Sequence, residues 1–362
     1  MIIMDVKIDN LYAFKEFHMN MSYPKKVVNS PIDNEFLHER PNFRYRRVNI
    51  LMGSNATGKT SFGKIMMLFS NFIQDGEYSR FIKKINDNTK PAYLKVDFVA
   101  NDLRLYRFDL QVENKPDSET GAQKLLKIEY VPINKNDRYE TCAERLDSGI
   151  GEVVDYHDIN LQGWCFQYGN ELSESTDFIE NDEYTKVLEW VMKTLDPAII
   201  AVNRVENVDN AYSIMLNNQS VIIQNGKFVD ENILSSGTKM GFAIAYTIAS
   251  MICQMHTFYY CDELFTYVNS DIESVCLSLM IEKLAPQGQL FLTTHNSDIA
   301  EMDLPKHSFC FLKKEQNKPN EIVYVNASEY LKKNTDSVKN ALDNDVFSTA
   351  PDVEKLYDIV NY

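Results

Sequence analysis

The sequence predicts an α/β fold in which a mixed β-sheet is combined with additional antiparallel strands. Three observations support this prediction. In the second half of the chain, short apolar runs alternate with longer segments of helical spacing. In the first half, two strand-like runs separated by Asn101 and Asp102 indicate a hairpin. The chain has 362 residues, of which 44% are hydrophobic, and this is enough for one large domain or two ordinary ones.

The first half of the chain is predicted to hold strands around a single helix. Residues 1–40 alternate apolar and polar side chains, a pattern typical of antiparallel edge strands. The segment "RRVNILM" (46–52) becomes fully apolar just before a Gly-rich loop, and "TSFGKIMMLFSNFI" (60–73) has helical spacing. Residues 134–182 are polar and irregular, and we interpret them as an insertion with little regular structure. Further strands are predicted at 92–100, 103–112 and 125–133.

The second half is predicted to alternate helices with buried strands. The predicted elements, in chain order, are a helix at 183–195, short strands within 211–224, a helix at 238–254, a strand at 257–261, a helix at 271–284, a strand at 289–294 and a closing strand pair. We expect one domain over 1–362, made of an N-terminal lobe (1–133), an insertion with a helical and strand region (134–230), a third part (231–327) and a polar tail (328–362).

The bulk composition excludes several classes of protein. The net charge is −15 and the pI is near 4.9, which argues against a cationic coat for non-specific nucleic-acid binding but leaves a local basic groove open. The six cysteines form no CxxC pair, so a disulfide scaffold or zinc ribbon is not expected and a reducing compartment fits. No signal-peptide core opens the chain, and the longest apolar run (240–255) is too short to span a bilayer. We therefore expect a cytoplasmic protein with no membrane partner.

A phosphate-binding loop is predicted at "GSNATGKT" (53–60), which matches G-x-x-x-x-G-K-[ST] between an apolar strand and a helix. Glycine lets backbone N–H groups turn toward an anion, and the helix start adds its positive end. The lysine would reach the β- and γ-phosphates, and the following hydroxyl would coordinate Mg²⁺. The alternative is an ordinary Gly/Ser turn with an exposed lysine. The expected nucleotide-binding residues are Gly53, Ser54, Asn55, Ala56, Thr57, Gly58, Lys59, Thr60 and Ser61.

Two acids follow the apolar run "TFYYC" (257–261). A strand buried on both faces is continuously apolar, so Asp262 and Glu263 are predicted at the carboxyl edge of a parallel sheet, where open α/β folds bind ligands. Asp262 would hold Mg²⁺, and Glu263 would orient and deprotonate an attacking water. Taken alone, such a pair is more often a solvated loop.

Two further segments are candidates for phosphate contacts. In "LSSGTKMG" (234–241), serine hydroxyls and free N–H groups at a helix start make a second anion site, although Ser235, judged alone, is better explained as a helix N-cap. His295 ends the last predicted buried strand and could hydrogen-bond a γ-phosphate, while a lone histidine after a strand is usually structural or exposed.

Together these motifs resemble the ABC-type ATPases. "GSNATGKT" corresponds to Walker A, "LSSGTKMG" to the signature motif, "FYYCDE" (258–263) to Walker B and "TTHN" (293–296) to the switch histidine. The opening "KIDNLYAF" (7–14) is similar to the SMC, RecF and OLD branch rather than to the transporter branch. "LSSGT" and the ending "SVKNALDNDVFSTAP" (337–351) resemble the OLD-related ATPases of bacterial defence operons, such as the ATPase subunits of Septu- and PARIS-type systems.

This resemblance implies a P-loop ABC-ATPase head with a mixed sheet, an antiparallel β subdomain and a helical signature lobe. It also implies ATP and Mg²⁺ as cofactors and a dimer or larger homo-oligomer, in which the signature of one subunit caps the nucleotide of another. The implied roles are phosphate binding for Lys59, Mg²⁺ binding for Thr60 and Asp262, catalysis for Glu263 and His295, and capping in trans for Ser235, Ser236, Gly237 and Thr238.

Two departures from the family pattern stand out. After the acid pair, Val268 and Asn269 occupy the place of the Leu-Asp or Leu-His of the D-loop, which puts the hydrolysis rate and the coupling between subunits in question. The Q-loop glutamine has no clear counterpart, and Gln162 and Gln167 are candidates by position alone.

The main hypothesis is a slow Mg-ATP hydrolase that serves as sensor or scaffold for a separately encoded effector in bacterial anti-phage defence. No TOPRIM or HNH nuclease motif is recognisable, so a nuclease effector is expected on a partner. The alternatives are a RecF-like DNA-maintenance ATPase, a transporter's nucleotide-binding subunit, and a module that binds ATP without turnover. The basic runs at 38–47 and 80–85 could bind a nucleic-acid backbone or an acidic surface of a partner, but a solvated strand face explains them better.

Overall fold

The computed structural model describes residues 1–25, 30–115, 122–161, 163–169, 182–217, 219–225, 227–229, 234–315, 318–333 and 335–350. The strands of this part of the chain are β1 (Ile2–Asp9), β2 (Phe17–Asn20), β3 (Phe36–Leu37), β4 (Arg40–Arg44), β5 (Val48–Met52), β6 (Ala92–Val99), β7 (Arg104–Asn114), β8 (Ala122–Pro132), β9 (Glu152–Val153), β10 (Gly163–Tyr168), β11 (Ile199–Arg204), β12 (Ala211–Leu216), β13 (Gln219–Gln224), β14 (Lys227–Phe228), β15 (His256–Asp262), β16 (Gln289–Thr293), β17 (Phe309–Glu315) and β18 (Lys318–Asn326). The α-helices are α1 (Lys59–Asp75), α2 (Ser79–Ile82), α3 (Tyr139–Asp147), α4 (Asp182–Leu195), α5 (Ser236–Ile252), α6 (Ser270–Lys283), α7 (Ala327–Tyr330) and α8 (Val338–Asp343).

A mixed sheet forms the centre of the molecule, with the strand order β10-β15-β16-β5-β17-β18. The first five strands are parallel and β18 is antiparallel to β17. Every residue of β5, β15 and β16 is buried, as expected for parallel strands covered on both faces. The predicted α/β class with a mixed sheet is therefore confirmed.

A separate antiparallel sheet of order β2-β1-β6-β7-β8-β9 packs over one face of the central sheet, with α1 between the two. The hairpin predicted around Asn101 is formed by β6 and β7. Phe69 of α1 lies 5.2 Å, between ring centroids, from both Phe98 and Phe108 of the antiparallel sheet. Phe62 of α1 lies 6.1 Å from Phe291 of the central sheet. The antiparallel subdomain is thus part of the same core as the helix that follows the Gly-rich loop.

The opposite face of the central sheet is covered by α4, α5, α6 and the small antiparallel sheet β11-β12-β13-β14. The helix α5 is almost entirely buried, which explains why its sequence is apolar all round. Tyr184 of α4 packs edge-on against Tyr212 of β12, with ring centroids 5.4 Å apart. These elements form the helical lobe that the sequence predicted for the second half.

Residues 134–182 contain more regular structure than the sequence indicated. The helix α3 packs on the antiparallel sheet, and β10 is the parallel neighbour of β15 in the central sheet. The interpretation of this segment as an irregular insertion was therefore wrong for these two elements. Its strand "GWCFQY" has no alternation and gains its stability from pairing with a strand more than 90 residues away, which no local pattern reveals.

We expect the substitution Gly63→Ala to destabilise the fold. A Cβ at Gly63 of α1 would lie 2.3 Å from Cε1 of Tyr260, and that ring is held in place because its hydroxyl donates to the carbonyl of Lys59 at 2.7 Å. Overpacking of this kind lowers the free energy of unfolding by about 1–3 kcal/mol, to be measured by urea unfolding. The control is Asn71→Ala on the same helix, which we expect to be neutral or slightly stabilising. Equal stability of Gly63→Ala and the wild type would contradict the packing described.

Candidate functional site

The Gly-rich loop between β5 and α1 has a backbone that requires glycine. Gly53 and Gly58 have φ values of 151° and 94°, in the region that favours glycine. A Cβ at Gly53 would also lie 2.2 Å from the carbonyl oxygen of Leu312 in β17. Ala56 takes a φ of 60° within the same loop. The loop therefore closes against β17 and turns directly into α1, as the phosphate-loop prediction requires.

The side chain of Lys59 folds back over this loop. Its Nζ donates to the carbonyls of Gly53, at 2.8 Å, and Ser54, at 3.3 Å. Burial lowers the pKa of Lys59, while the charges of Glu263 and Asp262 oppose that shift. Among the described residues, the hydrogen-bond acceptors of this ammonium are neutral carbonyls. Lys59 is therefore available to an anion that enters the loop, because phosphate oxygens would give stronger, charge-assisted hydrogen bonds.

Asp262 joins the loop helix to the edge of the central sheet. Its Oδ2 accepts a hydrogen bond from Oγ1 of Thr60 at 2.6 Å, and its Oδ1 accepts one from Oγ1 of Thr293 at 2.7 Å. Burial raises the pKa of this carboxyl, and the two hydroxyl hydrogen bonds partly offset the effect. The two residues predicted to bind Mg²⁺ are thus in direct contact, 202 positions apart in sequence.

Glu263 and His295 form a pair at the same edge. Nε2 of His295 lies 2.9 Å from Oε1 of Glu263, and both side chains are partly exposed. Glu263 has a φ of 52°, so the chain turns sharply as β15 ends. Its N–H is held by the carbonyl, at 3.2 Å, and the hydroxyl, at 2.9 Å, of Thr293. The geometry presents a carboxylate and an imidazole side by side, next to the loop.

Glu273 of α6 is a functional candidate that the sequence analysis missed. This side chain is buried, and its carboxylate accepts hydrogen bonds from Oγ1 of Thr294 at 2.9 Å and Nδ2 of Asn296 at 2.7 Å. Burial raises the pKa of Glu273, and these hydrogen bonds counter the shift. Glu273 thus fixes the residues on both sides of His295. No local sequence pattern marks Glu273, because its partners Thr294 and Asn296 lie 21 and 23 positions away along the chain.

The predicted signature residues lie at the N-terminus of α5. Oγ of Ser235 accepts from the N–H of Thr238 at 3.1 Å, so the N-cap interpretation is correct for this side chain. Oγ1 of Thr238 donates to Oδ2 of Asp196, at the end of α4, at 3.0 Å. Ser236 is exposed and Gly237 half-buried. Among the described residues, the hydrogen bonds of these side chains go to each other and to Asp196, and none goes to the Gly-rich loop of the same chain.

The remaining predicted positions lie around this core. Gln167 is a buried residue of β10, paired with Cys261 one position before the acid pair, while Gln162 is outside the described residues. In the D-loop position, Asn269 caps α6 through the N–H of Asp271 at 2.8 Å. Neither glutamine can be assigned a Q-loop role by contact.

The basic run 38–47 is largely structural. Arg46 and Arg47 are buried, at 6% and 4% exposure. Arg47 donates to the carbonyls of Asp33, Leu284 and Ala285, and Arg46 donates to that of Asn20. The interpretation of this run as a solvated face or a nucleic-acid grip is therefore wrong for these two guanidinium groups.

The site has the composition of a nucleotide-assisted Mg²⁺ site. Mg²⁺ is usually held by one or two carboxylates together with substrate phosphates and water. Thr60 and Asp262 supply one hydroxyl and one carboxylate that already converge on a point beside the loop. Within the described ranges no group of three or more His, Cys, Asp and Glu could hold a metal by itself. The donor set therefore fits a metal that arrives with a phosphate ligand.

Comparison with known proteins identifies the fold. No protein-family model matches the chain, and no curated protein matches it. Among solved structures, it is similar to an SMC head bound to the C-terminal winged-helix domain of ScpA, at 11% identity, covering 91% of this chain and 100% of that chain, with a TM-score of 0.51. It is also similar to an Smc head with an extended coiled coil, bound to the C-terminal domain of ScpA, from Pyrococcus furiosus, at 10% identity, covering 96% and 100%, with a TM-score of 0.50.

The chain therefore has an SMC-head-like α/β fold, consistent with an ABC-ATPase head. At this level of identity the likeness shows the fold alone, so membership of the SMC, RecF and OLD branch and the resemblance to Septu- and PARIS-type subunits both stay predictions. In the part of the chain that the structure describes, no helix is long and apolar enough to cross a membrane.

We expect Asp262→Asn to stabilise the nucleotide-free protein near neutral pH. A carboxyl whose pKa is raised by folding lowers the free energy of unfolding above its folded pKa, and this cost vanishes below its unfolded pKa. The gain in Tm, roughly 2–4 °C per kcal/mol, should shrink as the pH is lowered. Differential scanning fluorimetry over a pH series measures it.

The matched control is the exposed residue Asp303, because Asp303→Asn removes a carboxylate without touching the site. It should leave the Tm unchanged. A lower Tm for Asp262→Asn at neutral pH would show that the carboxylate stabilises the fold and would refute the account given above.

Proposed function

We propose that this protein binds ATP together with Mg²⁺ and hydrolyses it slowly, as an ABC-type ATPase. In this proposal the Gly-rich loop 53–61 holds the phosphates, and Thr60 and Asp262 hold the metal. When bound, Mg²⁺ would neutralise charge on the transferred phosphoryl group. Glu263 orients and deprotonates the attacking water, and His295 hydrogen-bonds the terminal phosphate.

The observation that carries this proposal is the hydrogen bond of 2.6 Å between Thr60 and Asp262. It brings the last residue of the phosphate-loop motif against the first acid after a buried strand. The alternative interpretation of the sequence was a solvated loop. In that case we would expect Asp262 to be exposed and not hydrogen-bonded to Thr60. The contact between Glu263 and His295 at 2.9 Å adds a general base beside the same point.

We further propose that the site is completed by a second copy of the chain. Ser236 and Gly237 lie at the N-terminus of a 17-residue helix, a position that favours an anion through its free N–H groups and dipole. The side chains of Ser235 and Thr238 are used within the protomer, so the capping contact would come from the backbone and from Ser236. This surface makes no hydrogen bond to the loop of its own chain among the described residues.

In the finer proposal, the ATP-bound oligomer acts as sensor or scaffold for a separately encoded effector, a nuclease, in bacterial anti-phage defence. The signature "LSSGT" and the ending 337–351 support it by resemblance. The net charge of −15 and the burial of Arg46 and Arg47 count against direct gripping of nucleic acid by this chain.

Complementation between two inactive variants tests the shared site. We expect Lys59→Ala and Ser236→Arg each to abolish ATP hydrolysis, because one removes a phosphate contact and the other blocks the exposed signature without removing the Ser235 cap. Mixed in equal amounts, they should recover about one quarter of wild-type activity, since half of head-to-tail dimers are mixed and each has one intact site. Steady-state phosphate release measures this.

A mixture of Lys59→Ala with Lys59→Ala Ser236→Arg is the control and should stay inactive, because no combination of those chains has an intact loop. Failure of the first mixture to recover activity would rule out a site shared in trans. Absence of hydrolysis and of ATP binding in the wild type would rule out the ATPase itself.

The effector proposal predicts an ATP-dependent companion. Tagged Glu263→Gln, isolated from its own host with Mg-ATP, should form a homo-oligomer that carries a second, unrelated soluble protein, identified by native mass spectrometry. Adding Lys59→Ala to the same chain should release that companion, because the loop can no longer hold ATP. A dimer without a companion in both preparations would exclude a stable effector and favour the DNA-maintenance alternative. Binding to gapped DNA would then be the next measurement.

A further inference from the structure

A cavity of about 610 Å³ opens beside the start of the Gly-rich loop. Its lining includes Gly53, Ser54 and Asn55 of the loop, and Thr294 and His295 from the segment after β16. Since the proposed function places His295 at the terminal phosphate, the cavity lies at that end of the nucleotide.

Lys314 of β17 is the residue in this cavity that no known motif explains. The strand β17 runs parallel to β5, with Phe311 opposite Met52, so Lys314 lies just beyond the point where β5 turns into the loop. Its side chain is exposed and forms no hydrogen bond or ion pair with another described residue. In a chain with a net charge of −15, a lysine without a carboxylate partner at this position is a cation available to an anionic ligand.

The C-terminal segment 335–350 forms the remaining wall of the cavity through Leu342, Asp343 and Thr349. Phe347 anchors this segment by stacking on Phe311 at 4.1 Å between ring centroids. Among these lining residues Asp343 is the one carboxylate, and it lies 3.9 Å from Nζ of Lys339.

Lys339 also ties the wall to the loop that carries His295. Its Nζ donates to Oγ of Ser297 at 2.9 Å and to Oδ1 of Asp298 at 3.1 Å. Asp343 and Asp298 therefore share the cation Lys339, and among the described residues Asp343 forms no ion pair with Lys314.

We propose that Lys314 is a second cation for the terminal phosphate of a bound nucleoside triphosphate, opposite Lys59. This inference rests on the proposed ATP binding and names a residue that selects triphosphate over diphosphate. Lys59 contacts the carbonyls of Gly53 and Ser54, whereas Lys314 shares the cavity that the same two residues line. Both lysines therefore lie near the start of the loop.

The two lysines differ in what they can distinguish. Lys59 lies where it reaches phosphates common to ATP and ADP, so its loss weakens both. Lys314 lines the same cavity as His295, which the proposed function places at the terminal phosphate, so we expect Lys314 to contact the third phosphate. A positive charge at that position raises the affinity for the triphosphate alone, and salt reduces this effect because Lys314 is exposed.

The test compares the affinities of Lys314→Gln for a non-hydrolysable ATP analogue and for ADP, both with Mg²⁺, by isothermal titration calorimetry. We expect the analogue to bind about tenfold more weakly than to the wild type, the change produced by losing one charge-assisted hydrogen bond, while ADP binding is unchanged. Lys314→Arg should keep most of the affinity for the analogue. The difference between Lys314→Gln and the wild type should narrow at high salt.

The matched control is Lys313→Gln, because Lys313 precedes Lys314 on the same strand, its side chain points to the opposite face and it does not line the cavity. It should bind both nucleotides as the wild type does. If Lys314→Gln shows the same ratio of the two affinities as a wild type that binds both nucleotides, the proposed role of Lys314 is wrong. The proposed function is not affected by that result. A wild type that binds neither nucleotide overturns the proposed function and this inference with it.

Discussion

The carboxylate of Asp262 is the constraint on which the arrangement of the site depends. It stands at the end of β15 and receives hydrogen bonds from Thr60, at the start of α1, and from Thr293, at the end of β16. Three elements are therefore held together at one edge of the sheet by a single buried group. Burying a carboxylate costs free energy, and the raised pKa of Asp262 expresses that cost. A fold selected only for stability would have little use for the group here, since an apolar contact would serve better.

The loop itself is supported from both sheets. A Cβ on Gly58 would lie 2.9 Å from Cδ1 of Ile322, in the central sheet, and 3.0 Å from Cζ of Phe14, in the turn after β1. Tyr260 lies under α1 and donates to the carbonyl of Lys59 at 2.7 Å. These contacts leave the loop little freedom to rearrange. Preorganised N–H groups bind an anion with less loss of entropy than a mobile loop would, and this is how the antiparallel subdomain contributes to the site.

Much of the fold was predictable because its strongest signals are local. The run before the loop, the glycines of the loop and the acids after "TFYYC" each carry a pattern within about ten residues, and parallel pairing then brings them to one edge. The strand β10 lacked such a pattern, and its place next to β15 depends on distant pairing. Burial of Arg46 and Arg47 was equally hidden, because charged residues are rarely buried and their partners are backbone carbonyls of distant segments. Glu273 was missed for the same reason, because its hydrogen-bond partners Thr294 and Asn296 are distant in sequence and come close only in the folded chain.

The structure separates two parts of the proposed chemistry. Within one chain, Glu263 and His295 are already in contact, and Glu273 fixes the segment around the histidine. The helix start that would face the terminal phosphate is turned to solvent instead, with Ser236 exposed. Under the proposed function, a single chain can therefore bind nucleotide but lacks one set of donors for the charge that develops in hydrolysis. Donors that arrive only with a second copy act on the transition state of an assembled oligomer, so assembly itself would set the rate. Under the same proposal, the missing donors alone would make turnover slow in an isolated chain, without any defect in Glu263 or His295.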